Sequence, residues 1–249
     1  MTKGTTRKSR AEEVPSGAAP RYSEAMTSIH PPLRTFGRIK SRTLKPRQAG
    51  LMEELLPAIS PPEHDFDPRA LIPGVSTAWL EVGFGAGEHL AGQAARHPDI
   101  LMLGAEPFLN GVGAALARID DLGLANVRIH AGDARELMAR MPDACLERVV
   151  VLFPDPWPKS RHHKRRLVEA DFIAEAARLL RPGGSFRFAT DWADYAHWTL
   201  LRMLASPSFR WTARRADDWR KPPADHLTTR YETKQLGDCA PIWLEFERI

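Results

Sequence analysis

Four clusters of residues in this 249-residue chain have types and spacings suited to chemistry. The first is Glu81-Val82-Gly83-Phe84-Gly85-Ala86-Gly87-Glu88, an acid followed by glycines at alternate positions. Gly83, Gly85 and Gly87 let the backbone approach a nucleotide closely. The dinucleotide fingerprint would require glycine at position 88. Glu88 instead puts a negative charge where a pyrophosphate would meet a helix N-terminus, which disfavours NAD. An acid at Glu81 suits a cationic ligand, and S-adenosylmethionine carries both an ammonium and a sulfonium. Two further acids follow strands. Glu106 is placed to accept both ribose hydroxyls, and Asp133 to bind the adenine amino group. Helix capping is the competing reading of both. A lone glycine-rich turn is weak evidence, whereas three acids after successive strands form a far stronger constellation.

The second cluster is Phe153-Pro154-Asp155-Pro156-Trp157-Pro158-Lys159. In open α/β sheets the ligand crevice lies at the carboxyl ends of the strands, so Asp155 is placed to meet substrate. Prolines on both sides hold the acid rigidly. Trp157 is suited either to stack on a base or to pack the loop. The run Lys159 to Arg166 follows, suited to phosphates beside a reacting base. Its adjacent histidines, His162 and His163, point apart at a helix start and lack a suitably spaced thiolate or acid, so no metal is expected. The third cluster is Ala189-Thr190-Asp191-Trp192. The fourth is Thr228-Thr229-Arg230-Tyr231-Glu232-Thr233-Lys234, which taken alone also reads as a polar hairpin.

These residues need elements to carry them. Short apolar runs predict strands over 78–82, 100–105, 127–130, 149–153 and 185–189, each at the start of a βα unit. The helices between them are expected over Glu88 to His97, Asn110 to Asp121, Arg135 to Arg140, Arg165 to Leu180 and Asp191 to Leu204. Such alternation implies a mostly parallel sheet with helices on both faces. Two last strands, near 209–213 and 242–247, have no helix between them and should pair antiparallel around a long excursion over 214–240. A loop of that length is usually functional. Upstream, Pro46 opens a helix expected to stop at Pro57.

Charge is distributed unevenly. Residues 1–50 carry a net +8 and the remainder −4; the run from Lys159 to Arg166 alone carries +5. A mildly acidic body with two basic segments suggests a polyanion, most plausibly nucleic acid, although a solvated tail and a charged helix start give the same pattern. Residues 1–28 are expected to be a disordered tail, 29–57 a basic arm and first helix, and 58–249 the βα domain. The two cysteines, Cys145 and Cys239, exclude a disulfide scaffold or a thiolate zinc site. No apolar run approaches bilayer length, and Met1 to Arg10 does not read as a secretory signal.

Taken in order, EVGFGAGE, GAEPF, GDA, LFPDPWPKSRHHKRR, FATDW and TRYETK resemble the tRNA (guanine-N7)-methyltransferase family of the bacterial single-chain type. The resemblance covers residues 33–249; it implies that the basic segment 29–57 is an RNA-binding arm with the first helix and that 58–249 is the S-adenosylmethionine-dependent methyltransferase domain. Pro158 stands where the family often has histidine, and TRYE where TKFE is common. The resemblance implies a Rossmann-like class I methyltransferase fold: seven strands in order 3-2-1-4-5-7-6, with strand 7 antiparallel. It implies methyl transfer from S-adenosylmethionine to N7 of a tRNA guanosine, usually position 46 in the variable loop. By the same resemblance, Glu81, Gly83, Gly85, Gly87, Glu106 and Asp133 bind the donor. Asp155 stands at the reaction centre and near the donor, while Lys159, Asp191, Thr229, Arg230, Tyr231 and Glu232 contact substrate. Ser160, Arg161, His162, His163, Lys164 and Arg165 contact tRNA. A cytoplasmic protein is expected, a monomer or homodimer with no membrane or obligate protein partner.

Guanine N7 carries a lone pair and no proton at neutral pH, so transfer needs no general base. Asp155 fits an electrostatic role instead. Carbon-5 methylation would need a cysteine nucleophile, and neither cysteine lies in a crevice motif. Amino-group methylation typically uses a second proline before the aromatic, which Asp155-Pro156-Trp157 lacks. An NAD-dependent oxidoreductase and a non-catalytic RNA-binding protein are the competing classes.

Overall fold

A computed structural model describes residues 1, 2, 36 and 43–249. The expected tail over 1–28 and most of the arm therefore lie outside the described residues. Seven strands form one sheet: β1 (Thr77–Val82), β2 (Ile100–Ala105), β3 (Val127–His130), β4 (Leu146–Leu152), β5 (Leu180–Thr190), β6 (Phe209–Trp211) and β7 (Ile242–Arg248). Their order is β3-β2-β1-β4-β5-β7-β6, as expected. β1 to β5 are parallel, and β7 pairs antiparallel with both β5 and β6.

The side-chain alternation of the strands builds two faces. One face carries Leu80, Val82, Leu103, Val149, Val151, Phe186, Phe188 and Phe246. It is buried under α4 (Ala134–Met138), α5 (Ala170–Leu179) and α6 (Ala193–Ala205). On the other, Trp79, Met102, Val127 and Ile129 pack under α2 (Glu88–Arg96) and α3 (Leu109–Leu122). Farther along that second face, Val150, Leu152, Ala189 and Trp243 form a small separate apolar cluster.

α1 (Pro46–Ile59) sits outside α3, with Leu51, Met52, Leu55, Leu56 and Ile59 against the second core. It runs past Pro57 rather than stopping there. One missing N–H in the last turn is outweighed by the contacts of Leu55, Leu56 and Ile59. Arg47 pairs with Asp120 and Asp121 on α3 at 2.7 and 2.6 Å. All three side chains are exposed, so this adds little stability.

The helix expected over 165–180 is divided. Ser160–Arg165 forms a 3-10 turn, Arg166 is extended, and α5 begins at Ala170. Local periodicity is overridden here by the tertiary contacts of Arg166. The excursion after β6 carries a short α7 (Asp217–Arg220) and a 3-10 turn over Glu232–Lys234. Asp225 docks it to the sheet, pairing with Arg148 of β4 at 2.6 Å and Arg187 of β5 at 2.8 Å. Burial pushes the Asp225 carboxyl up, but the two guanidiniums outweigh this and hold it at about 2. No helix among the described residues is long and apolar enough to cross a membrane.

Candidate active site

The glycine turn between β1 and α2 is left-handed at all three alternate positions, with φ of +74° at Gly83, +56° at Gly85 and +74° at Gly87. Any side chain there would be strained. A Cβ on Gly87 would stand 2.6 Å from the Cβ of Ala115, so this glycine lets α3 close on the turn. A Cβ on Gly83 or Gly85 would meet nothing within 4 Å. Those two positions border open space of the kind a nucleoside needs.

Glu106 is buried, and its carboxylate braces the same turn. Oε2 accepts the Gly85 N–H at 2.8 Å and Oε1 accepts the Phe108 N–H at 2.8 Å. Burial raises its carboxyl, the two N–H groups oppose this, and the negative charges of Asp155 and Glu81 raise it further. The three acids thus share one electrostatic environment. Such an arrangement favours a cationic ligand, because each carboxylate is stabilised by a positive charge placed among them. The open glycine turn and the acid ring together fit S-adenosylmethionine.

Glu81 is buried and accepts from His89 Nδ1 at 2.7 Å. Asp133 is the N-cap of α4, accepting the Arg135 N–H at 3.0 Å, and pairs with the Arg135 guanidinium at 2.6 Å. Asp133 therefore does cap α4, whatever else its carboxylate holds. Glu106 is no cap, since the N-cap of α3 is Phe108. Glu88 pairs with Arg118 at 3.0 Å, so its charge at the helix start is compensated.

On the facing loop, Phe153 and Trp157 have φ of +49° and +45°. Left-handed non-glycine residues cost about 1–3 kcal/mol each and cluster at functional sites. Asp155 lies between them in the chain, exposed to solvent and near enough to Glu106 for its charge to raise that carboxyl. It makes no hydrogen bond or ion pair to any described residue, and burial raises its carboxyl. Asp191 is buried under the excursion. Its Oδ2 accepts the Gly237 N–H at 2.9 Å and its Oδ1 accepts the Tyr231 hydroxyl at 3.3 Å. The Tyr231 ring lies 5.3 Å from that of Phe153, which brings the excursion to the Asp155 loop.

Glu232 faces inward. Its carboxylate accepts the Thr229 N–H at 2.8 Å, the Thr229 hydroxyl at 3.0 Å and His226 Nε2 at 3.0 Å. Burial raises its carboxyl, but these donors outweigh it and leave it lowered. Arg230 is exposed at the loop tip. Cys145 is buried, and burial pushes its thiol up to about 12. Cys239 lies closer to the crevice than its sequence context suggested, its N–H donating to the Asp191 carbonyl at 3.0 Å. Its thiol is raised by burial first and the Asp238 charge second, unlike an activated nucleophile.

The basic run divides by orientation. Lys159, Ser160, Arg161 and Lys164 are exposed. Arg165 lies over the Trp157 ring at 4.9 Å and the Phe36 ring at 5.4 Å. His162 meets the edge of Trp157, and burial followed by the charges of Arg165, Arg161, Lys159 and Lys164 lowers it. His163 turns toward Trp198. Arg166 is buried between Tyr195 and Trp198, donating to the Pro156 carbonyl and to Asp194. Its charge counts toward the +5 run, but it is turned away from solvent.

Gly111 escaped the sequence reading. A Cβ there would stand 2.5 Å from the Gly85 carbonyl oxygen. A glycine inside the first turn of α3 was the available signal, because it costs about 1 kcal/mol against alanine and so asks for a packing reason.

A family model described as "Putative methyltransferase" matches residues 76–243. A tRNA (guanine-N(7)-)-methyltransferase of Caulobacter sp. (strain K31) is 57% identical over 220 residues, covering 88% of this chain and 97% of the relative. One of Hyphomonas neptunium is 51% identical over 216 residues, covering 86% and 99%. Among solved structures, the 16S rRNA (adenine(1408)-N(1))-methyltransferase of Catenulisporales acidiphilia aligns with a TM-score of 0.51 at 17% identity. That alignment covers 77% of this chain and 97% of the other, and speaks for the fold alone.

Proposed function

This chain belongs to the tRNA (guanine-N7)-methyltransferase family, and from that premise we propose that it methylates N7 of a tRNA guanosine, position 46 of the variable loop, using S-adenosylmethionine in the cytoplasm. One observation carries the assignment of the reaction centre. Asp155 is a carboxylate without a partner among the described residues, raised by burial, at a crevice whose other acids are Glu81 and Glu106.

S-adenosylmethionine, when bound, supplies a methyl group on a sulfonium. The residues of the chain do the rest by holding and by charge. Glu106, fixed by Gly85 and Phe108, accepts the ribose hydroxyls, and Asp133 accepts from the adenine amino group. Glu81 and the turn of Gly83, Gly85 and Gly87 receive the cationic end. Asp155 accepts hydrogen bonds from the guanine edge and offsets the positive charge that forms on the ring when N7 is alkylated. No proton leaves N7, so no residue acts as base. Lys159, Asp191, Thr229, Arg230 and Tyr231 position the nucleoside, with Glu232 shaping their loop from within. Ser160 to Arg165 carry tRNA phosphates, and residues 29–57 extend that surface.

The test is transfer of labelled methyl from S-adenosylmethionine to unmodified tRNA transcripts, with and without guanosine at position 46. Label appears as 7-methylguanosine only when that guanosine is present. Label unchanged by its replacement would move the site elsewhere, and absence of label would remove the activity.

A further inference from the structure

The donor side and the substrate loop are joined by a buried contact between two histidines. His89 of α2 donates from Nδ1 to Glu81 at 2.7 Å, and its Nε2 accepts from the Gln93 amide at 3.2 Å. The His226 ring stacks on it with centroids 5.5 Å apart and planes inclined by 27°. From the other side, the edge contact of Trp243 lies 4.3 Å away. His226 Nε2 is 3.0 Å from both oxygens of Glu232. Both histidine side chains are only 3% exposed. Gln93 fastens the same segment, donating to the Asp225 carbonyl at 2.8 Å.

His226 Nδ1 has no hydrogen-bond partner among the described residues. An unsatisfied buried polar atom is destabilising, a penalty that an apolar residue of this size would avoid. The histidine is therefore explained by what Nε2 holds rather than by packing. Glu232 in turn closes the turn at Thr229 that presents Arg230 and Tyr231.

We infer that His226 is a positioning residue that ties the loop Thr229–Glu232 to the donor-side acid Glu81 through the stacked His89–His226 pair, making donor binding and tRNA binding interdependent. This rests on the proposed methyl transfer to tRNA. Order at one carboxylate restricts the ring that holds the other, so each ligand binds a site partly organised by its counterpart. By linkage, the factor by which the donor product improves tRNA affinity equals the factor by which tRNA improves donor-product affinity.

The experiment compares His226→Gln, His226→Asn and His226→Leu in the full chain. Glutamine places an amide N–H near the position of Nε2, asparagine falls short of Glu232, and leucine keeps volume alone. The readouts are S-adenosylhomocysteine Kd by calorimetry, tRNA Kd with and without S-adenosylhomocysteine, and KM against kcat. Asparagine and leucine should raise the KM for tRNA by about tenfold, the loss expected for a hydrogen bond to a charged acceptor. They should also weaken S-adenosylhomocysteine and abolish its effect on tRNA affinity. Glutamine should restore the KM for tRNA to within about twofold, since it keeps that hydrogen bond, but not the effect of S-adenosylhomocysteine on tRNA affinity, since it lacks the ring that stacks on His89. A folded asparagine or leucine variant with unchanged affinities and coupling would overturn the inference, as would glutamine that keeps wild-type coupling or that matches leucine in its KM for tRNA. Wild-type protein that binds S-adenosylhomocysteine yet methylates no tRNA would count against the proposed function instead, and the calorimetry would still judge His226.

Discussion

Arg166 donates from Nε to the Pro156 carbonyl oxygen at 2.9 Å and from Nη2 to Asp194, so a buried guanidinium fixes the backbone beside Asp155. The residue adjoins the exposed Arg161 and Lys164 in sequence, but its own Nε contact is to the loop that carries Asp155. Arg166→Lys keeps the charge and loses the fork. It should lower kcat by roughly 10²-fold, the scale of a misplaced reacting group, with tRNA affinity nearly unchanged. Single-turnover methylation beside filter binding checks this. A loss of tRNA affinity alone would place Arg166 on the RNA surface.

Arg161 and Lys164 should behave in the opposite way. Both are exposed on the 3-10 turn. Replacing either with alanine should weaken tRNA binding and flatten its salt dependence by about one phosphate contact, leaving kcat at saturating tRNA close to wild-type. The slope of log Kd against log salt is the readout.

Gly111→Ala tests the close approach of α3 to the glycine turn. Its Cβ would press on the Gly85 carbonyl at 2.5 Å, and the Gly85 N–H is what Glu106 holds. Overpacking of about 1–3 kcal/mol should appear chiefly as weaker donor binding, roughly tenfold in S-adenosylhomocysteine Kd. Unchanged affinity with a lowered Tm would show that the turn moves without disturbing the donor site.

The acids of the crevice set a pH signature. Burial raises both Glu106 and Asp155, so on acidification each takes up its proton above the ordinary carboxylate range. Every proton removes one negative charge facing a cationic donor. Affinity for S-adenosylmethionine should therefore fall on acidification more than affinity for S-adenosylhomocysteine, which lacks the sulfonium charge. Turnover at saturating substrates should show no steep acid limb at about pH 6–7, because N7 has no proton to lose. Asp155→Asn should lose rate without acquiring one. A bell-shaped kcat profile that vanishes in Asp155→Asn would restore a general-base role.

The strand-end acids were legible because βα alternation is a local pattern, and the ends of parallel strands fix where a loop residue can be. The places of Glu106 after β2 and Asp155 after β4 follow from that alone, whereas Glu81 is the penultimate residue of β1 itself and not an acid beyond its end. What was not legible depends on contacts between distant segments. The helix expected from Arg165 breaks because Arg166 reaches Pro156 and Asp194. Glu232 turns inward because His226 and Thr229 take its oxygens. Neither the period of the chain nor the type of the residue carries such information.

The most direct measurement is nucleoside mass spectrometry of tRNA from a strain lacking this protein, complemented with the wild-type chain or with Asp155→Ala. 7-Methylguanosine should be lost in the deletion, restored by wild-type and not restored by Asp155→Ala. Unchanged 7-methylguanosine in the deletion, or full restoration by Asp155→Ala, would contradict the proposed methyl transfer.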